Sequence, residues 1–246
     1  MILRSPLLDS VPGLAHGFTT ARPVDGGPGR LDLGPGAPAS AWTGVAAELG
    51  LPQAAVALLS QVHGAEVIEA QEGGLRGQGD ALVSQRPGLL LAIRVADCVP
   101  VLLAGLDPQG RPVAVAAVHA GWRGLAAGVI GLAVQDLSRR LLSQGSDGRI
   151  LASVGPCIGV DAYEVGPEVV EGIARRVPPQ AFVHPGRREG RWQADLRAAA
   201  AWQLREAGVR EVEQVGGCSF QEPDLHSYRR DGAASGRMAA LIGLRP

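Results

Sequence analysis

The 246-residue sequence contains no lysine: all 23 of its Lys-plus-Arg positions are arginine. That excludes lysine Schiff-base and lysine general-base chemistry. It leaves arginine, a planar fork of donors, for any recognition of phosphate or carboxylate. Cysteine is scarce. Cys98, Cys157 and Cys218 form an odd, widely spaced set that reads as reduced thiols and not as a disulfide framework. Apolar runs stay short of the ~18 residues of a spanning helix, and Met1 to Ser10 holds no signal-peptide apolar block. A net charge of −1 offers no basic field for nucleic acid or a membrane surface. The expectation is a cytoplasmic protein without nucleic-acid or membrane partners. Its oligomeric state cannot be read from the sequence.

What is present centres on Pro112 to Gly124. Val113 to Val118 is apolar on both faces, as in a strand covered on both sides. His119 stands where that strand stops. Gly121 and Gly124 suit a tight turn and close ligand approach, and Arg123 opens the next helix, where backbone N–H groups favour an anion. The pattern predicts strands over 14–19, 55–59, 65–70, 80–84, 89–95, 99–104, 150–154, 209–215 and 238–244, with shorter ones at 181–183 and 191–193. The strand at 65–70 reads as the return of 55–59, with His63-Gly64 at the turn. Pro100 points to a bend at Asp97-Cys98. Helices are expected from a Ser40 cap to Gly50, from Leu125 to Leu142 ending before Gly145, from Pro167 through Val177, and from an Asp195 cap over 196–207. Strands come in runs without β-α alternation. This favours an α+β fold with mixed sheets over a doubly wound nucleotide fold. No linker divides residues 1–246, so a single domain is expected.

Four segments share one design, an apolar strand ending in a polar residue beside glycine or a bend: Gln61-Val-His63-Gly64, Ala96-Asp97-Cys98, His119-Ala-Gly-Trp-Arg123 and Gly155-Pro-Cys157-Ile-Gly159. If these ends meet, His63, Cys98 and His119 form a set of two imidazoles and a thiolate. Zinc accepts such a set with its fourth position open, as in catalytic sites, and lowers the pKa of bound water toward ~7. The spacing alone leaves plainer alternatives open: a buried Cys98 as a small hydrophobe, His63 as a turn residue, and His119 bonded to backbone.

Five blocks occur in one order: Ser60-Gln-Val-His-Gly64; Val95-Ala-Asp-Cys-Val-Pro-Val-Leu-Leu103; Val118-His-Ala-Gly-Trp-Arg-Gly124; Gly155-Pro-Cys-Ile-Gly159 with Tyr163-Glu-Val-Gly166; and Ser227-Tyr-Arg-Arg-Asp231. Together they closely resemble the YfiH-type family of purine nucleoside phosphorylases, also described as laccase-like polyphenol oxidases, from about Gly13 to Leu244. The resemblance implies one α+β domain of two packed sheets flanked by helices, in α/β/β/α layers. It implies zinc, with copper as an alternative, on His63, Cys98 and His119. It also implies phosphorolysis of adenosine, inosine and S-methyl-5′-thioadenosine with phosphate, and deamination of adenosine. Near the start the chain departs from the family pattern, with Phe18-Thr-Thr-Ala21 and Leu31-Asp-Leu-Gly34. His226 stands where the family has an aromatic, and solvent exposure is expected for it.

In this scheme Cys98, His119, His63 and Asp97 are the catalytic candidates. Asp97 either orients a histidine or makes a structural bond in the bend. Phosphate would meet Arg123 and Arg229 or Arg230, one of that adjacent pair facing Asp231 instead. Tyr163 would stack on a purine; Trp122 is open to the same role but is read first as core packing. Three rival functions remain, one of them a non-enzymatic binding module or partner subunit. A copper-dependent polyphenol oxidase is weakened by the presence of five histidines and no His-x-His pair, since multicopper centres gather many. A cysteine or metal amide hydrolase editing peptidoglycan precursors would use Cys98 with His119 or His63 as nucleophile and base.

Overall fold

The computed structural model describes residues 1–52, 54–143 and 148–246. Two six-stranded mixed sheets dominate it. Sheet one runs β1 (Ile2–Leu3), β2 (Leu14–Thr19), β15 (Met238–Leu244), β7 (Leu89–Val95), β3 (Ala55–Ser60), β5 (Gly74–Gln78). Sheet two runs β14 (Glu211–Gln214), β10 (Arg149–Val154), β8 (Val99–Leu106), β9 (Pro112–Ala120), β6 (Ala81–Ser84), β4 (Val67–Glu69). A small third sheet holds β11 (Glu164–Val165), β13 (Trp192–Ala194) and β12 (Val183–Pro185). The helices are α1 (Pro6–Asp9), α2 (Ala39–Glu48), α3 (Trp122–Ala127), α4 (Val129–Ser143), α5 (Pro167–Ala174), α6 (Leu196–Glu206) and α7 (Tyr228–Asp231).

The period-two alternation of buried strands explains the layering. On β8, Leu102 and Ala104 face sheet one and pack with Phe18, Leu59, Leu91 and Ile93. Their neighbours Val101 and Leu103 face the other way, onto Leu125, Ile130, Leu137, Ile173 and Leu204 of α3 to α6. Beyond sheet one, Leu90, Ala92 and Leu241 meet Trp42 and Val45 of α2. The result is the expected α/β/β/α stack, and it accounts for strands that read as apolar on both faces.

Four sequence expectations are corrected. First, β4 is not the return of β3: β3 pairs with β5 and β7 in sheet one, whereas β4 pairs with β6 in sheet two. The segment through His63 is therefore a crossing between sheets and not a hairpin turn. Second, the helix expected over 125–142 is two. Gly128 adopts a left-handed φ of +85° that ends α3, and its N–H closes onto Gly124 and Leu125. α4 then carries the apolar stripe Val129, Ile130, Ala133, Val134, Leu137 and Leu141 to Ser143; Gly145 lies outside the described residues. Third, Ser40 lies inside α2, whose first flanking residue is Pro38, with no side-chain cap. Fourth, His226 is buried, its ring Nε2 bonded to the Leu31 carbonyl at 2.7 Å.

Gly155 lies where sheet two meets the inter-sheet core. A Cβ there would stand 2.3 Å from the Phe18 ring. Gly155→Ala is expected to destabilise the fold by about 1–3 kcal/mol through overpacking, read as a lower urea midpoint at unchanged m. Adding Phe18→Leu should return part of the loss. Strictly additive losses would show that Phe18 is not the obstacle.

Candidate metal centre and active site

The site forms where the chain passes from sheet one to sheet two. After β3, residues 61–66 cross to β4. After β7, Ala96-Asp97-Cys98 crosses to β8. His119, near the end of β9, pairs in register with Pro100 on β8. The two crossings hold the two non-glycine residues with left-handed φ among the described residues, His63 at +59° and Asp97 at +88°. Such backbone costs of the order of 1–3 kcal/mol per residue and persists only where neighbours over-determine it. Both are heavily braced here.

Asp80, fully buried at the head of β6, braces the first crossing. Its carboxylate accepts the backbone N–H groups of Val62 (3.3 Å), His63 (3.0 Å) and Gly64 (2.6 Å). It also accepts Nδ1–H of His119 at 2.7 Å, and its backbone carbonyl accepts the His119 N–H. Burial opposes ionisation, but the bond to His119 and the Gly64 and Val62 N–H groups outweigh it and hold the carboxyl below its ordinary value. With Nδ1 committed to Asp80, Nε2 is the nitrogen His119 can offer to a ligand. Asp97 braces the second crossing. Its carboxylate accepts the Ser219 hydroxyl and the Arg229 N–H, each at 2.6 Å, and its carbonyl accepts Ile158 N–H. Of the two roles left open for Asp97, the structural bond is the one observed. The carboxylate that orients a histidine is Asp80.

The ligand atoms of His63, Cys98 and His119 lie within 4.8 Å of one another. The imidazoles stand edge to face at 77°. A Cβ on Gly121 would come within 2.9 Å of the His63 ring and 3.0 Å of the Cys98 sulfur, so the close approach of β9's end to both ligands requires glycine. Burial would raise the Cys98 thiol, but His119 and His63 overcome it and bring it down to about 6. Burial would lower His119, but the Cys98 sulfur and Asp80 lift it to about 9. Without metal, the two form a thiolate–imidazolium pair. Three convergent donors, an ionised sulfur, a fixed histidine tautomer and a glycine-walled floor fit one metal ion with an open coordination position. The other three histidines lie elsewhere: His16 is held on the Ser5 N–H, His226 on Leu31, and His184 is exposed on β12.

This centre opens into a cavity of about 860 Å³, within the usual size of a small-molecule site. Arg123, Arg229, Tyr163 and Asp97 all line it. So does Trp122, which is half-buried against the core and also faces the cavity. Arg123 lies 4.4 Å from the Trp122 ring centroid and Arg229 4.9 Å from that of Tyr163. Burial, then the Cys98 charge, push the Tyr163 phenol up to about 12. Arg230 is not brought to the cavity. It forms a bidentate pair with Asp231 and donates to the carbonyls of Ser219, Phe220, Glu222 and Leu225. Sequence reasoning missed Asp80, Arg94 and Arg237. The available signal was a charge at the head of, inside, or just before an otherwise buried strand.

Two outcomes test the centre. The depressed Cys98 contributes stability that is full above about 9 and lost as pH falls through about 6. The raised His119 contributes stability that is full below 6.5 and lost as pH rises through about 9. Metal-free protein should thus be most stable between those limits, and alkylation of Cys98 should titrate near 6. Titration near the ordinary thiol value would refute the pair. Asp80→Asn keeps the side-chain size but cannot accept all four N–H groups. Metal affinity should fall about 10–100-fold by equilibrium titration, with an accompanying loss of thermal stability.

The family described as multi-copper polyphenol oxidoreductase laccase matches residues 37–245. A Deinococcus radiodurans protein named purine nucleoside phosphorylase is 40% identical over 251 residues, covering 99% of this chain and 92% of the relative. A Streptomyces coelicolor protein of the same name is 37% identical over 252 residues, covering 96% and 98%. The crystal structure of YlmD from Geobacillus stearothermophilus superposes with a TM-score of 0.82 at 30% identity, over 98% of this chain and 94% of that one. On that match, and on relatives of this identity and extent, the chain belongs to the family described as multi-copper polyphenol oxidoreductase laccase, several of whose curated relatives carry the name purine nucleoside phosphorylase.

Proposed function

We propose that the chain is a metal-dependent purine nucleoside phosphorylase acting on adenosine, inosine and S-methyl-5′-thioadenosine with phosphate, and that it also deaminates adenosine. The observation that carries this proposal is the meeting, in one cavity, of the His63–Cys98–His119 donor set with arginines that have no carboxylate partner among the described residues. The names of the curated relatives support it.

Phosphorolysis breaks the bond from C1′ to the purine and forms one from C1′ to a phosphate oxygen. The protein must therefore hold a dianion against the sugar and receive the departing base. Arg123 and Arg229 supply fixed positive charge for the phosphate. Asp97 acts through Arg229: by accepting its backbone N–H at 2.6 Å it sets the start of α7 at the cavity rim. Tyr163 and Trp122 offer aromatic faces for a purine. His63, Cys98 and His119 would hold zinc; copper accepts the same donors. A bound metal supplies Lewis-acid polarisation there.

One observation favours a second proposal. A thiol lowered to about 6 beside His119 is also an activated nucleophile with its base, suited to amide hydrolysis such as editing of peptidoglycan precursors. Inosine with phosphate is expected to yield hypoxanthine, dependent on phosphate and abolished by chelation. His119→Ala should lower kcat/KM by at least about a hundredfold. No product from the three nucleosides would refute the phosphorylase, and full amidase activity in metal-free protein would favour the hydrolase. Elemental analysis of protein purified without added metal distinguishes zinc from copper.

A further inference from the structure

We propose that Arg94 and Arg237 form a second anion subsite on the sheet-one wall of the cavity, built for a phosphate-class dianion. Arg123 is the second residue of α3, which follows β9 of sheet two, and Arg229 lies over Tyr163, which follows β10 of the same sheet. Arg94 and Arg237 belong to the other sheet. Arg94 is the penultimate residue of β7, its register partner on β15 is Ala239, and Arg237 immediately precedes β15. Both half-buried guanidiniums line the same cavity.

Each is fixed before any ligand arrives. Gln61 clasps the Arg94 backbone through both ends of its amide, at 2.7 and 2.8 Å, and Arg94 Nη2 donates to the Leu59 carbonyl at 2.7 Å. Arg237 Nη1 donates to the carbonyls of Ser235 (2.7 Å) and Gly236 (3.0 Å). Its guanidinium lies 5.9 Å from the Tyr228 ring centroid. The carboxylate nearest in the bonding pattern, Asp32, accepts the Arg237 backbone N–H and not the guanidinium. Neither arginine forms an ion pair among the described residues, and Nε and Nη1 of Arg94 with Nε and Nη2 of Arg237 have no protein acceptor there.

Two partly desolvated like charges on the wall of one cavity repel. Burial and the neighbouring Arg237 both weaken the hold of Arg94 on its proton, yet arginine does not deprotonate in proteins. Such a pair is destabilising on its own, and an anion held between them offsets the repulsion and accepts from donors that the protein leaves unused. Gln61 also links this wall to the His63 crossing, so the subsite sits beside the metal centre and not on a remote surface. The anion has two sources, and naming them rests on the phosphorylase proposal. It is either free orthophosphate, in which case Arg94 and Arg237 hold the co-substrate in place of Arg123 and Arg229, or a phosphoryl group already esterified to the nucleoside.

The test measures binding apart from turnover. Inorganic phosphate and inosine 5′-monophosphate are titrated by calorimetry into the full chain and into Arg94→Gln and Arg237→Gln, with melting curves confirming that each variant is folded. A rise of at least about tenfold in the phosphate Kd, with a raised KM for phosphate at unchanged KM for inosine, supports the subsite with orthophosphate as its ligand. Unchanged phosphate binding with a tenfold loss for the monophosphate supports it with the ester as ligand. Arg94→Lys, which keeps the charge and loses the fork, should fall between the wild type and Arg94→Gln. Unchanged affinity for both ligands in a folded variant overturns the subsite. Absence of nucleoside turnover with phosphate still bound at this pair would refute the phosphorylase and leave the subsite standing.

Discussion

The centre depends on one buried carboxylate. Asp80 has no solvent contact, and a carboxylate so placed without partners would neutralise or unfold its surroundings. Four N–H groups prevent that. Three come from the crossing that carries His63 and one from the ring of His119, so a single anion fixes two of the three ligands in different ways. It holds His63 by its backbone, where the left-handed φ would otherwise relax. It holds His119 by its side chain, choosing the tautomer and the direction of Nε2. Because Asp80 immediately precedes β6, which pairs with β9, it is fixed against the sheet that presents His119. The ligand geometry is thus set by core packing and not by surface loops.

The second constraint is the seam between the sheets. A chain leaving sheet one for sheet two must reverse within a few residues while both strands stay buried. At Asp97-Cys98 the reversal takes three residues and requires a positive φ at Asp97. Ser219 and the start of α7 tie that carboxylate down, so a distant part of the chain secures the turn and simultaneously places Arg229. Strain, a candidate metal ligand and a cavity arginine are joined in one hydrogen-bond network. The same reversal turns Cys98 toward the cavity, half-buried, where a thiolate is both shielded and reachable.

Much of this was legible in the sequence because it is local. β2 and β15 run over the residues that the apolar pattern picks out, and Asp195 caps α6 as a capping aspartate should. His63, Cys98 and His119 converge because each lies within three residues of a strand end where the two sheets connect. What was not legible is long-range. A strand, a turn and another apolar strand look alike whether the chain returns beside itself or crosses to a second sheet, and β3 to β4 is the second case. Asp80 reads as the polar first residue of a strand until its partners, 16 to 39 residues away, are seen. His226 carries a polar ring that sequence assigns to solvent, yet the Leu31 carbonyl satisfies it in the interior. Gly128 resembles any glycine tolerated in a helix until its positive φ splits α3 from α4.

The charge of the cavity bears on the choice between an oxidase and a phosphorylase. Four arginines line it, against a thiolate that a metal would take up and an Asp97 carboxylate already occupied by two donors. A phenol is neutral near pH 7 and offers guanidiniums no charge to offset their repulsion. Its oxidation also needs a path for several electrons, whereas the described residues provide a single cluster of metal donors, with the remaining histidines bonded or exposed elsewhere. A phosphate dianion resolves the repulsion and uses the planar forks that arginine supplies. The absence of lysine matters for the same reason: recognition of an anion here would rest on oriented donors and not on a mobile point charge. Electrostatics and ligand count therefore favour an anionic co-substrate over an electron-transfer reaction.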